Sequence, residues 1–86
     1  MPELCRFYGI IIKMYFDDHF PSHFHAIYGK HEALINIQTL AVISGKLPPR
    51  ALGLVMEWTA LHQEELLAEW EKAKNLQPLG KINPLE

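Results

Sequence analysis

The feature that most constrains this chain is a change of hydrophobic period at the double proline Pro48-Pro49. Before it, apolar residues recur at every second position. After it, they recur at every third or fourth. Strands followed by helix, with no further alternation, make an α+β domain.

The period-two half divides at its turn signals. Residues 6–16 carry Ile10, Ile12, Met14 and Phe16 on one parity and Lys13 on the other, the pattern of a strand with one core face. Asp17-Asp18-His19-Phe20-Pro21-Ser22 breaks it as a loop. Residues 23–28 form a second strand, with Phe24, Ala26 and Tyr28 on one face and His23, His25 and Ile27 on the other. Gly29-Lys30 fits a two-residue type II′ hairpin turn with glycine first. That turn sets Tyr28 opposite His31, Ala26 opposite Ala33 and Phe24 opposite Ile35, so register and hydrophobic parity agree. A third strand covers 32–38, and after a turn at Thr39-Leu40 a short strand covers 41–44. The expectation is an antiparallel β-meander of three or four strands over about residues 5–44.

Proline suits the first turn of a helix, and about residues 49–74 read as helical. Ala51, Leu54, Val55, Trp58 and Leu61 form one stripe, while Leu52, Met56, Leu67 and Trp70 form a second. One unbroken helix would be about 39 Å long at its usual rise. That is long for so small a domain, so a kink is expected near residues 60–62, with the helical segment packed on one face of the sheet. A second stripe needs a second cover. Core packing is the default for Trp58 and Trp70; the sharper alternative makes Met56, Trp58, Leu67 and Trp70 partner-binding residues, facing a second small protein or another copy of the chain, because tryptophan is enriched at binding hot spots. Residues 75–86, with Pro78, Gly80 and Pro84, form an irregular tail whose Leu79, Ile82 and Leu85 can pin it to the body.

With 86 residues, 49% of them hydrophobic and 21% charged, the sequence describes a single domain over 1–86. Residues 1–50 hold five basic and four acidic groups, and residues 51–86 hold three and six. With no basic stripe, the electrostatic footprint of a DNA binder is missing; contact with RNA at a small site stays open. No apolar run approaches a membrane span, and the start lacks the pattern of an export signal. A cytoplasmic location without membrane contact is expected. The lone Cys5 reads as a reduced, buried thiol.

Chemistry concentrates in nine residues, Asp17-Asp18-His19-Phe20-Pro21-Ser22-His23-Phe24-His25. His23 and His25 are two apart, so they share a strand face and can turn two imidazole nitrogens to one metal ion. His19 or Asp17 could supply a third ligand from the loop. The candidate metal set is therefore His19, His23 and His25. Without cysteine, it suits zinc, nickel, copper or iron rather than a thiolate zinc site. The same window supports proton chemistry, with His23 and His25 as acid and base and Asp17 as a third catalytic candidate. Lys13 or Arg6 could stabilise developing charge. The plain alternative is a tight hairpin whose aspartates bond loop amides. His62 on its helix face reads as a packing or capping residue. No phosphate-binding glycine loop, nucleophile elbow or Cys-x-x-Cys is present.

The stretch Arg6-Phe7-Tyr8-Gly9-Ile10, then Met14-Tyr15-Phe16-Asp17-Asp18-His19, Pro21, His23-Phe24-His25 and Tyr28-Gly29 resembles a small bacterial family, domain-of-unknown-function family 4160. Gly45-Lys46-Leu47-Pro48-Pro49-Arg50-Ala51-Leu52, Glu57-Trp58, His62, Glu65-Leu66 and Trp70 are similar to it as well. Its signature, Phe-Asp-Asp-His-x-Pro-x-His-Phe-His, usually has a second proline where this chain has Ser22. The resemblance implies a small protein of about this length. It also implies a partner, since members are often encoded beside another small protein in pairs suspected to be toxin–antitoxin modules. The expected function is thus a component of a two-protein, toxin–antitoxin-like module acting through protein–protein interaction; the alternative is a nuclease-like or metal-binding hydrolytic protein built on the His/Asp cluster.

Overall fold

A computed structural model describes residues 3–86. Five strands, β1 (Glu3–Phe7), β2 (Ile10–Lys13), β3 (His23–Tyr28), β4 (His31–Asn36) and β5 (Val42–Gly45), form one antiparallel sheet in chain order. Two helices follow, α1 (Pro49–Leu61) and α2 (Gln63–Lys74). The class is α+β, as expected, with one strand more than the longest meander foreseen.

The extra strand comes from the segment read as one strand over 6–16. It is a hairpin, because Tyr8 and Gly9 take φ of 51° and 81°. Two consecutive left-handed residues make a type I′ turn, whose twist suits the flanking strands. Phe7 then pairs with Ile10, and both are buried. The turn escapes a periodicity reading because tyrosine replaces the usual Asn or Asp. At the next hairpin the expected register is present: Tyr28 opposes His31, Ala26 opposes Ala33 and Phe24 opposes Ile35. Gly29 sits at φ 60°, as a glycine-first II′ turn requires.

The inner sheet face is wholly apolar. Ile10, Ile12, Phe24, Ala26, Ala33 and Ile35 have no exposed surface. Trp58 of α1 packs on it, with its ring 5.4 Å from Phe7 and 5.8 Å from Phe24. The helical segment breaks at His62, inside the expected interval, where φ −122° and ψ 23° leave the helical region. His62 closes α1 through its amide, which donates to the Trp58 and Thr59 carbonyls, and its own carbonyl accepts the Leu66 amide of α2. Its ring pairs with Glu65 at 2.6 Å. The Gln63 side-chain Nε2 donates to the Ile37 carbonyl at 2.7 Å and ties the start of α2 to the residue that follows β4.

The tryptophans require a correction. Trp58 and Trp70, core residues on the default reading and partner-binding anchors on the sharper alternative, are 0% and 2% exposed, which leaves neither free on the surface. Both lie in this chain's own core, since an 86-residue domain needs its largest apolar side chains there. Met56 and Leu67 are half-buried against the same core. Part of the expected second cover is the tail. Ile82 is buried, the Ile82 amide donates to the Leu4 carbonyl at 3.1 Å, and the Trp58 indole donates to the Asn83 carbonyl at 2.8 Å. Buried Glu69 accepts the Gly80 amide at 2.7 Å and the Lys72 ammonium at 3.1 Å.

The two sheet edges are therefore unequal. The tail bonds along β1, while every residue of β5 is exposed. Gly45 ends β5 at φ 80°, and a Cβ there would strike the Glu32 carbonyl oxygen. No described helix is long and apolar enough to cross a membrane.

Candidate metal centre

His23 and His25 lie on the outer face of β3, on the parity opposite to Phe24 and Ala26. Their rings are 5.4 Å apart. The preceding loop returns to them. Asp17 takes φ 51° and its amide donates to the Ala73 carbonyl of α2 at 3.1 Å. This reversal turns the next residue, Asp18, back over the sheet, where Oδ1 accepts the His19 amide at 2.8 Å and Oδ2 faces the imidazoles. The Phe20–Pro21 peptide that completes the loop is cis.

Each imidazole is anchored through its Nδ1. His23 Nδ1 lies 2.8 Å from the Pro21 carbonyl oxygen, and His25 Nδ1 lies 2.8 Å from Glu32 Oε2. Both partners can only accept, so both Nδ1 atoms carry a proton. In the neutral tautomer that leaves each Nε2 with a free lone pair. His23 Nε2 lies 3.0 Å and His25 Nε2 3.6 Å from the same Asp18 Oδ2. His25 Nε2 is buried without a hydrogen-bond partner. Two lone pairs aimed at a carboxylate oxygen need something positive among them, either protons on the rings or a cation.

The spacing suits a cation. Asp18, His23 and His25 each offer an atom such that all three lie within 4.8 Å of one another. An ion bound at about 2.1 Å holds adjacent ligand atoms roughly 3.0–3.4 Å apart, close to the two distances to Asp18. A protonated Nδ1 held by a carboxylate or backbone carbonyl is also the usual support of a metal-binding histidine. Burial pushes the Asp18 carboxyl up, but the His19 amide it accepts from and the His23 and His25 rings that face it outweigh burial and hold it below its ordinary range.

The surroundings split by polarity. Lys13 pairs directly with His25 across β2 and β3, so it shares the outer face. Tyr15 meets the His25 ring edge-on at 4.4 Å. His23 is only 5% exposed, and its ring packs against Trp70 at 5.2 Å.

The structure brings together two of the expected residues and exchanges the others. His23 and His25 converge. Asp17 and His19 are exposed and stand outside the cluster, and Asp18 takes the place proposed for either. The cause is the left-handed turn at Asp17, which reverses which of two adjacent carboxylates faces inward. Glu32 was not foreseen. It was within reach, because the register that sets Ile27 opposite Glu32 also puts Glu32 diagonal to His25 on one face.

No curated protein and no solved structure matches this chain. A family match runs from the turn between β1 and β2 through most of α2, taking in the whole Asp18–His23–His25 cluster. On that match, over residues 9–71, the chain belongs to the family described as domain of unknown function DUF4160.

Proposed function

We propose that the protein is a metal-binding protein of hydrolytic type, in which Asp18, His23 and His25 hold one divalent transition ion, zinc foremost. The carrying observation is the shared orientation of the imidazoles: each Nδ1 is anchored, each Nε2 is turned to Asp18 Oδ2, and His25 Nε2 is buried without a partner. Three protein ligands leave an open position, the arrangement of catalytic rather than structural zinc. A bound ion there would lower the pKa of its water to about 7 and supply a nucleophile at neutral pH. Lys13, across from His25, adds positive charge for an anionic substrate, and a phosphodiester fits that chemistry.

Calorimetric titration of tag-free protein with zinc tests the reading. One equivalent per chain is expected, with binding lost in His25→Ala and in Asp18→Asn while circular dichroism stays native. A folded His25→Ala protein that binds zinc like the parent would end the proposal. Hydrolysis of a generic phosphodiester by the zinc-loaded protein then tests the activity.

A second reading, a component of a two-protein module, draws support from a different place. Strand β5 is a bare sheet edge on which Val42 and Ile43 are 40% and 41% exposed. A second small protein could add a strand there. Light scattering of the purified chain with and without its gene neighbour's product measures it, and Ile43→Lys should abolish any complex. A complex that survives Ile43→Lys would remove β5 from the account.

A further inference from the structure

The tail joins the body through a leucine in an unfavourable place. Helix α2 ends in a Schellman motif, in which the Gln77 amide donates to the Lys72 carbonyl at 2.8 Å and the Leu76 amide to the Ala73 carbonyl at 3.2 Å. The motif needs a left-handed residue, and Leu76 takes φ 56°. Glycine usually fills that position, because a Cβ there crowds the following carbonyl oxygen. Burial does not offset the strain, since Leu76 is 68% exposed. Backbone strain of this kind concentrates at clamps and switch regions.

Beyond this hinge, the body grips the tail by its main chain. Buried Glu69 accepts the Gly80 amide, the Leu4 carbonyl accepts the Ile82 amide and the buried Trp58 indole donates to the Asn83 carbonyl. Between those bonds, Ile82 enters the core and is 3% exposed. Main-chain bonds with a pocket for one side chain are how proteins hold an extended peptide. None of these contacts requires that the segment belong to the same chain.

We infer that two copies of this protein exchange their tails, residues 77–86, with Leu76 as the hinge. The groove's occupant in the pair is chemically identical to its occupant in the single chain, so each contact of Glu69, Leu4 and Trp58 is kept and the pair closes on itself. What changes is the hinge, which leaves the left-handed region as it opens. A short hinge holds the tail over its own groove at an effective concentration of about millimolar. Exchange therefore competes where strain penalises closure, and Leu76 supplies that penalty.

Light scattering from micromolar to millimolar protein tests the exchange. The parent should pass from monomer to dimer. Leu76→Gly removes the hinge strain and should weaken the dimer by about tenfold or more. A parent that stays monomeric over the whole range overturns the inference, and so does a dimer of equal strength in Leu76→Gly. Ile43→Lys, on β5, should leave the dimer in place; its loss there would assign the pair to the sheet edge and overturn the exchange. The Trp58 indole N–H signal in NMR reports whether the groove takes a tail from another molecule. Ile82→Asp unseats the tail and moves that signal, and an added peptide of residues 77–86 should return it to the parent position. Should Ile82→Asp not fold, Gly80→Pro deletes the amide that Glu69 accepts and serves in its place. A folded variant whose Trp58 signal ignores the peptide also overturns the exchange.

Discussion

Phe24 and Ala26 on one side of β3 have no exposed surface, and Phe24 packs edge-on against Trp58 of α1. On the other side of the same strand, His23 and His25 are held by single hydrogen bonds to Pro21 and Glu32 and face Asp18. The inner face draws its stability from shape and removal from water, which many contacts share. The outer face depends on a few directional bonds, so one substitution can erase its chemistry and leave the fold standing. His23 joins the two regimes, because its ring is buried against Trp70 while its nitrogens serve the outer cluster.

The largest expected effect lies on the inner face. Trp58→Ala should cost about 3–5 kcal/mol in urea unfolding, whereas His25→Ala should cost less than about 1 kcal/mol and abolish zinc binding. Equal destabilisation by the two would break the contrast. Ile82→Ala extends the inner region to the tail. It should cost at least about 2 kcal/mol, and a much smaller loss in the same unfolding assay would mean that the tail decorates the core rather than completing it.

Glu32→Gln sharpens the outer side. The Nδ1 anchor of His25 weakens while all three ligands remain, so zinc affinity should drop about 10–100-fold with stability nearly unchanged. A full loss of stability instead would mark Glu32 as a structural residue. For Asp18 the effect is smaller and depends on pH. Its carboxyl is held below the ordinary 3.8, so its stabilising contribution is fully present above that value and disappears as pH falls through the lower folded-state value. In metal-free protein, the stability gap between parent and Asp18→Asn should be constant near neutrality and close in acid below the ordinary carboxylate range. A gap that widens on acidification would contradict the depressed carboxyl. Ile43→Lys, on the bare β5 edge, should change monomer stability by no more than about 0.5 kcal/mol, which thermal melts can check.

Local patterns carried far in this chain. The Gly29-Lys30 turn and the alternation around it sufficed for the complete β3–β4 register, and the improbable length of an unbroken helix pointed to a break near residues 60–62, which the structure puts at His62. The Tyr8-Gly9 turn lay beyond that reach, because its residues lack the usual I′ signature. Asp17 and Asp18 are chemically identical neighbours, and nothing local distinguishes the one that turns inward. The tryptophans read as core by default, with an interface as the alternative, since a helix stripe does not say what covers it.

The amino-acid order alone determined the class, the strand-to-helix switch and the pairing of His23 with His25 on one face. Those depend on period and turn chemistry within a few residues. Tertiary structure decided that Asp18 completes the cluster, that Glu32 orients His25 and that both tryptophans are internal. Each of these turns on how segments distant in the chain exclude water from one another, and a local pattern carries no record of that.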